Sequence, residues 1–275
     1  MNYPLEVGGV DDYPVKVGSM LMTLVDPSRG YEQAYNRWYE RDHFYAGCMI
    51  GPWLFAGSRW VATRDLKDRR WPKEAGTVTA PYDAGSFIAI YWVEKGHHDD
   101  HFEAWAVPQV RDLYANGRGF AERRHVHTSL FDHIGSRYRD DDPVPIDLAL
   151  DRGYRGLVVL WWDAPEGTEP SDLHRAAGDH TRGLLAGSAI EIASSWTPSA
   201  PDEGPRDVPM DLGSPAGGPN RLVQLLFVDG DVREVLDPVR AYTDAVEAEG
   251  RGRLQLAAPF FSTVVGTDTY VDQLW

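Results

Sequence analysis

Residues 16–135 and 154–266 carry the same order of elements, so whatever unit one copy forms, the other must form beside it. MLMTLV (20–25) is an apolar run stopped by Asp26-Pro27, and LVVLWW (157–162) is stopped by Asp163-Ala164-Pro165; both read as buried strands. A polar segment of helical character follows each, over 31–43 and 171–180, and each closes on Asp-His, as Asp42-His43 and Asp179-His180. Second strands follow, marked by Trp60 and Trp196, and then Pro/Gly-rich connections over about 65–85 and 197–220 that are long enough to act as lids. FIAIYWV (87–93) and LVQLLFV (222–228) supply third strands. Helices over 101–115 and 232–249 begin after acidic residues and stop at Gly-Arg-Gly, 117–119 and 250–252, before a last strand in each copy.

The order β-α-β-β-α-β read twice is the ferredoxin-like motif. The expected fold is therefore α+β: two tandem ferredoxin-like repeats forming an intramolecular dimeric α+β barrel. An N-terminal tail (1–15), a linker rich in Asp, Pro and Arg (136–153) and a C-terminal packing tail (267–275) complete the division. Helices cover one face of each four-stranded sheet, and the other face, with Phe87 and Trp92, needs the second copy as cover. The space between the sheets is the expected place for a pocket.

Composition narrows the partners. A net charge of -15 without a basic run disfavours nucleic acid and anionic membranes. Cys48 is the only cysteine, which fits a reducing, cytoplasmic setting, and no apolar stretch reaches the roughly 18–20 residues of a membrane span. No dinucleotide fingerprint, phosphate loop, nucleophile elbow or haem-attachment motif is present, so no cofactor is expected, with non-covalent haem as the alternative. The chain reads as a monomer or homodimer.

His43 lies four residues after Tyr39, so the two share a helix face and suit acid/base work on an enolisable carbon; capping of the helix end by His43 is the structural alternative. FAERRHVHTSLFDH (120–133) alternates so that Arg123, His125, His127, Ser129 and His133 are expected on one face, making His125 and His127 candidate bases or ligands. Arg59 is a candidate for holding a carboxylate or enolate, or for stacking on aromatics. Trp38, Trp53, Phe55, Trp60, Tyr91 and Trp92 suit either a flat apolar substrate or a core. His97 and His101 have a spacing that could present two metal ligands on one helix face, yet Asp99 and Asp100 between them are ordinary helix-start residues; no metal is expected.

The stretch MLMTLVDPSRGYEQAYNRWYERDH (20–43), a strand, a Pro turn and a helix carrying Trp-Tyr and closing on His43, resembles the opening of EthD-like proteins of the dimeric α+β barrel superfamily. The second copy keeps Asp179-His180 but has Arg175 and Ala176 where the first has Trp38 and Tyr39. The resemblance implies a first-helix histidine working beside a cavity. It also implies a cofactor-independent enzyme acting on a small aromatic or enolisable substrate by proton transfer, cyclisation or isomerisation. The alternatives are a monooxygenase, cofactor-free or haem-dependent, and a non-catalytic hydrophobic-ligand-binding accessory protein.

Overall fold

A computed structural model describes residues 14–74, 76–199 and 208–275. The tail expected over 1–15 falls almost wholly outside the described residues, as does the middle of the 197–220 connection. The first repeat runs β1 (Val17–Pro27), α1 (Glu32–Trp38), β2 (Leu54–Val61), α2 (Arg64–Asp68), β3 (Phe87–Glu94), α3 (His98–His101), α4 (Val107–Ala115) and β4 (Arg123–Tyr138). The second runs β5 (Gly156–Asp163), α5 (Pro170–Ala176), α6 (Gly178–Ala186), β6 (Ile190–Pro198), β7 (Arg221–Val228), α7 (Leu236–Ala248) and β8 (Arg253–Ser262). The eight strands close into one barrel in the order β1-β3-β2-β8-β5-β7-β6-β4, which is the ferredoxin-like order taken twice.

The two seams differ. β4 pairs with β6 from Phe131↔Pro198 to Tyr138↔Ile192, so this strand continues three residues into the stretch read as linker. At the other seam β2 and β8 share only Trp60↔Ser262 and Val61↔Phe261. The connection after α2 patches the gap, with Trp71 and Ala257 exchanging backbone hydrogen bonds of 3.3 and 2.7 Å.

Strands that read as continuous apolar runs are covered on both faces. In β3, Ile88, Ile90 and Trp92 point into the barrel, while Phe87, Ala89, Tyr91 and Val93 meet the helices of the first repeat. Phe87 is thus not on the inner face expected for it. The space between the sheets is also not a pocket: Trp60, Trp92, Trp161 and Trp196, with Phe131, Phe227 and Phe260, fill it and are almost completely buried. Trp92 stacks on Trp196 with ring centroids 4.7 Å apart. Indoles of this size fill the volume that smaller inward residues would leave open.

α1 does not end at His43. It continues through two π-helical turns, Tyr39–His43 and Tyr45–Met49, so the capping reading of His43 falls. His180 lies in the first turn of α6 and bonds Glu249, just past the end of α7, at 2.9 Å, facing outward. Residues 264–275 fold back across α1. Asn36 Nδ2 donates to the Thr267 carbonyl (2.9 Å), Tyr270 stacks on Phe261, Leu274 is fully buried, and Trp275 Nε1 donates to Glu32 (2.5 Å). No helix among the described residues is long and apolar enough to cross a membrane.

The tryptophan-filled barrel carries an expectation. Trp196→Ala should cost about 3–5 kcal/mol in urea unfolding through the void it leaves, whereas Trp53→Ala, at a site 44% exposed, should cost under about 1 kcal/mol. Equal costs would mean that the indoles do not support the barrel.

Candidate functional site

Open space lies on the other side of the first sheet, between its outer face and the helices. A cavity of about 90 Å³ opens there between β1, β4, the π-helical turns after α1, and the α3 to α4 segment. Its walls are mainly apolar: Leu21 and Leu130 from the sheet, Phe102, Val107 and Val110 from the helices. Val208, Met210 and Leu212, from the long connection of the second repeat, form its roof. The polar residues exposed to it are Thr23, Tyr39, His43, Cys48, His101, Arg123, His125 and Thr128.

Two local irregularities place the histidines. The π-helical turns put His43 where its ring stacks on Trp38 (4.6 Å, 15°) and lies over Gly47; a Cβ at Gly47 would come within 2.7 Å of that ring. Single π turns inside helices recur at functional sites because the extra residue re-aims side chains. In β4 a bulge interrupts the pairing with β1 between Leu24↔His127 and Val25↔His125. The extra residue reverses the alternation. His125 therefore faces the cavity while His127 turns into the barrel, fully buried, 6.0 Å from Trp161 and bonded through Nδ1 to Ser214. The expectation that both histidines share one face fails for this reason.

His125 Nδ1 bonds Thr128 Oγ1 at 2.7 Å, and Thr128 Oγ1 bonds Thr23 Oγ1 at 2.7 Å. With Nδ1–H donating along this chain, the unshared pair sits on Nε2, which is buried and has no hydrogen-bond partner among the described residues. Burial, reinforced by the Arg123 charge, pushes the His125 imidazole down to about 3. Burial likewise takes His43 down to about 3, with the charge of Arg123 and the neighbouring His125 acting in the same direction. Both are neutral bases at physiological pH.

Arg123 packs over the Trp38 ring at 4.6 Å and donates Nη2–H to Tyr114 Oη at 2.6 Å. Its Nη1 is buried without a partner, and no Asp or Glu lines the cavity, among the described residues. In a chain with 42 acidic residues, a cation left without a carboxylate inside an apolar cavity is a place for a ligand's negative charge. Tyr39 bonds Tyr91 Oη at 2.8 Å, and burial pushes its phenol well up. Burial also raises the Cys48 thiol to about 12, so it is protonated and unreactive at neutral pH.

The structure brings together Tyr39, His43 and His125, with Trp38 and Tyr91 behind them, and leaves the other candidates outside. Arg59 is buried between Asn36 (3.1 Å), Glu40 (3.3 Å) and the Tyr39 ring (4.3 Å), with Nε and Nη2 unpartnered among the described residues, beside a separate opening lined by Glu40, Phe44 and Tyr45 rather than this cavity. Trp60 and Trp92 belong to the barrel interior, Phe55 packs against that core, and Trp53 is exposed and stacked on His97 (3.6 Å). The His97 to His101 cluster does not converge: His97 bonds Asp100, His98 bonds Ser19 Oγ, and His101 donates to the Pro52 carbonyl at 2.7 Å. Arg123, Gly47 and the roof residues are not singled out by sequence reasoning. The polar alternation of β4 was the available signal for Arg123.

Haem does not fit these residues. A cavity of about 90 Å³ is far below the roughly 300–1,000 Å³ of sites for cofactor-sized ligands, and both imidazoles are held by Trp38, Gly47 and Thr128 rather than facing a macrocycle-sized slot.

No protein-family model matches the sequence, and no curated protein matches it. Among solved structures, the chain is similar to an anthrone oxidase-like protein, at 9% identity over 93% of this chain and 98% of that one, with a TM-score of 0.54. It is also similar to a proposed monooxygenase from Fusobacterium nucleatum (8% identity, 90% and 92% covered, TM-score 0.50). A dye-decolorizing peroxidase from Bacteroides thetaiotaomicron matches as well (9%, 94% and 96%, 0.51). These likenesses establish the dimeric α+β barrel fold.

The depressed imidazoles set a pH dependence. His43 and His125 at about 3, and His127 at about 4, take up protons only on unfolding once pH falls below about 6.5. Stability should thus be full above pH 6.5 and decline toward pH 4. Imidazole NMR should show the three rings still neutral at pH 5; titration near 6.5 would contradict their burial.

Proposed function

We propose that this cavity is the active site of a cofactor-independent monooxygenase for a small phenolic or enolisable substrate. The observation that supports it is the unpaired Arg123 Nη1 beside two neutral histidines in a cavity with no acid among its described lining residues. The designations of two fold neighbours, anthrone oxidase-like and monooxygenase, agree with this reading. So does the likeness of residues 20–43 to EthD-like openings.

In this mechanism His125 Nε2 removes a proton from a carbon next to a carbonyl or aryl group, its lone pair aimed by the Thr128–Thr23 hydroxyl chain. Arg123 Nη1 donates to the enolate or phenolate oxygen that forms, in surroundings where water competes little. The carbanion is itself the reductant. It gives one electron to O2, the radical pair joins as a hydroperoxide, and loss of water leaves a carbonyl: CH2 plus O2 gives C=O plus H2O. The proton held by His125 goes to the peroxide oxygen, and neutral His43, which has no hydrogen-bond partner among the described residues and lies against Trp38, takes the second proton from the same carbon and passes it to the departing hydroxide, which leaves as water. The roughly 90 Å³ of space suits one aromatic ring with substituents reaching the opening.

The test is O2 consumption with a panel of hydroquinones, phenols and cyclic 1,3-diketones. His125→Ala should lower kcat about 10²–10³-fold and Arg123→Met about 10²-fold, with the fold retained by circular dichroism. Turnover that persists without O2 and still needs both residues would return the reaction to isomerisation or cyclisation through the same enolate. Unchanged rates in both variants would remove this cavity from the chemistry.

A further inference from the structure

The roof of the first repeat's cavity is chain from the second repeat, held in place by hydrogen bonds to β4 and to the loop after α2. Residues 212–214 lie beside β4 at its bulge: Thr128 N–H donates to the Leu212 carbonyl (2.9 Å) and Ser214 N–H donates to the Val126 carbonyl (2.9 Å). His127 Nδ1 bonds the Ser214 carbonyl (3.1 Å) and Oγ (3.0 Å), and Ser214 Oγ donates onward to the Val78 carbonyl (2.6 Å). Because the hydroxyl proton is committed to Val78, Oγ and the carbonyl are acceptors and His127 must carry its proton on Nδ1. Gly213 makes the approach possible. Its φ is +78°, and a Cβ there would sit 2.4 Å from the Val126 carbonyl oxygen. From this anchor Leu212, Met210 and Val208 extend over the cavity.

We propose that His127 and Gly213 hold the 208–214 segment of the second repeat as the wall that sets which ligand sizes the first repeat's cavity admits. His127 is then a positioning residue, acting through Ser214 without touching the ligand. This assignment rests on reading the cavity as a ligand site, but not on the oxygenase chemistry. The bulge gives it mechanical sense: one inserted residue turns His125 toward the ligand and His127 toward the anchor, so the base and the roof are registered to the same stretch of backbone.

Hydrogen exchange and binding of phenol and 1-naphthol, followed by NMR, test it in full-length protein. In His127→Leu the Thr128 and Ser214 amides should exchange at least about 10-fold faster while those of β5 and β7 keep their protection. The affinity for 1-naphthol relative to phenol should rise about 10-fold. His127→Asn, whose amide can replace the Nδ1–H donor, should restore both values. Gly213→Ala should reproduce the loss without altering the barrel interior, and serves if His127→Leu fails to fold. Exchange rising equally across β5 and β7 would reduce His127 to a core residue and overturn the proposal, as would a freed segment with an unchanged naphthol-to-phenol ratio. Wild-type protein that binds neither probe would overturn size selection together with the cavity reading. That result is told apart from a failed anchor because exchange is measured without ligand.

Discussion

Four indoles between two sheets decide where this molecule can hold a ligand. Trp60, Trp92, Trp161 and Trp196 occupy the barrel interior at the density of a protein core, and a ferredoxin-like sheet has only one other face. Space against a sheet is then left to the side under the helices. In the second repeat that space is also taken: Trp162 Nε1 and Tyr242 Oη both donate to Gln224 Oε1, at 3.0 and 2.9 Å, and Thr181 lies within reach of the same tyrosine. In the first repeat the corresponding layer is opened by π-helical turns and a glycine, and there the cavity remains. The duplication is symmetrical in strand order and asymmetrical in everything that bears on chemistry.

Electrostatics sharpen the asymmetry. An isolated arginine inside an apolar cavity disfavours protonation of any imidazole nearby, and burial acts in the same direction. The cation and the neutral bases are thus one device: the charge that would stabilise an enolate also keeps the groups that create it unprotonated. A carboxylate in the wall would cancel both effects, and none lines the cavity among the described residues.

The strands, their order and the duplication were legible because a sheet covered on both faces leaves long apolar runs such as FIAIYWV, which few other structures require. His43, Tyr39 and His125 could be picked out because polar side chains on otherwise buried elements need a reason to be there. Three things were not legible. A one-residue bulge carries no mark in a strand of mixed polarity, so His127 was placed with His125 when the backbone turns them apart. Arg59 and Arg123 look alike as letters, and only tertiary packing sets Glu40 against the first and gives the second no carboxylate among the described residues. The roof is formed by residues far along the chain, and no periodicity reports a crossing from one repeat to the other.

The fold-back of residues 264–275 has a consequence for how the protein comes to exist. Glu32 and Trp275, joined by a hydrogen bond, are 243 positions apart, and Leu274 is buried in the same cluster as Tyr35 and Tyr39. A chain leaving the ribosome presents its first repeat early, at about 5–20 residues per second, yet the helix leading to His43 gains its outer cover only after the second repeat has been made. For many seconds the first repeat can form its strands but not its finished helical layer. Synthesis thus completes the face that carries His43 well after its residues have been joined.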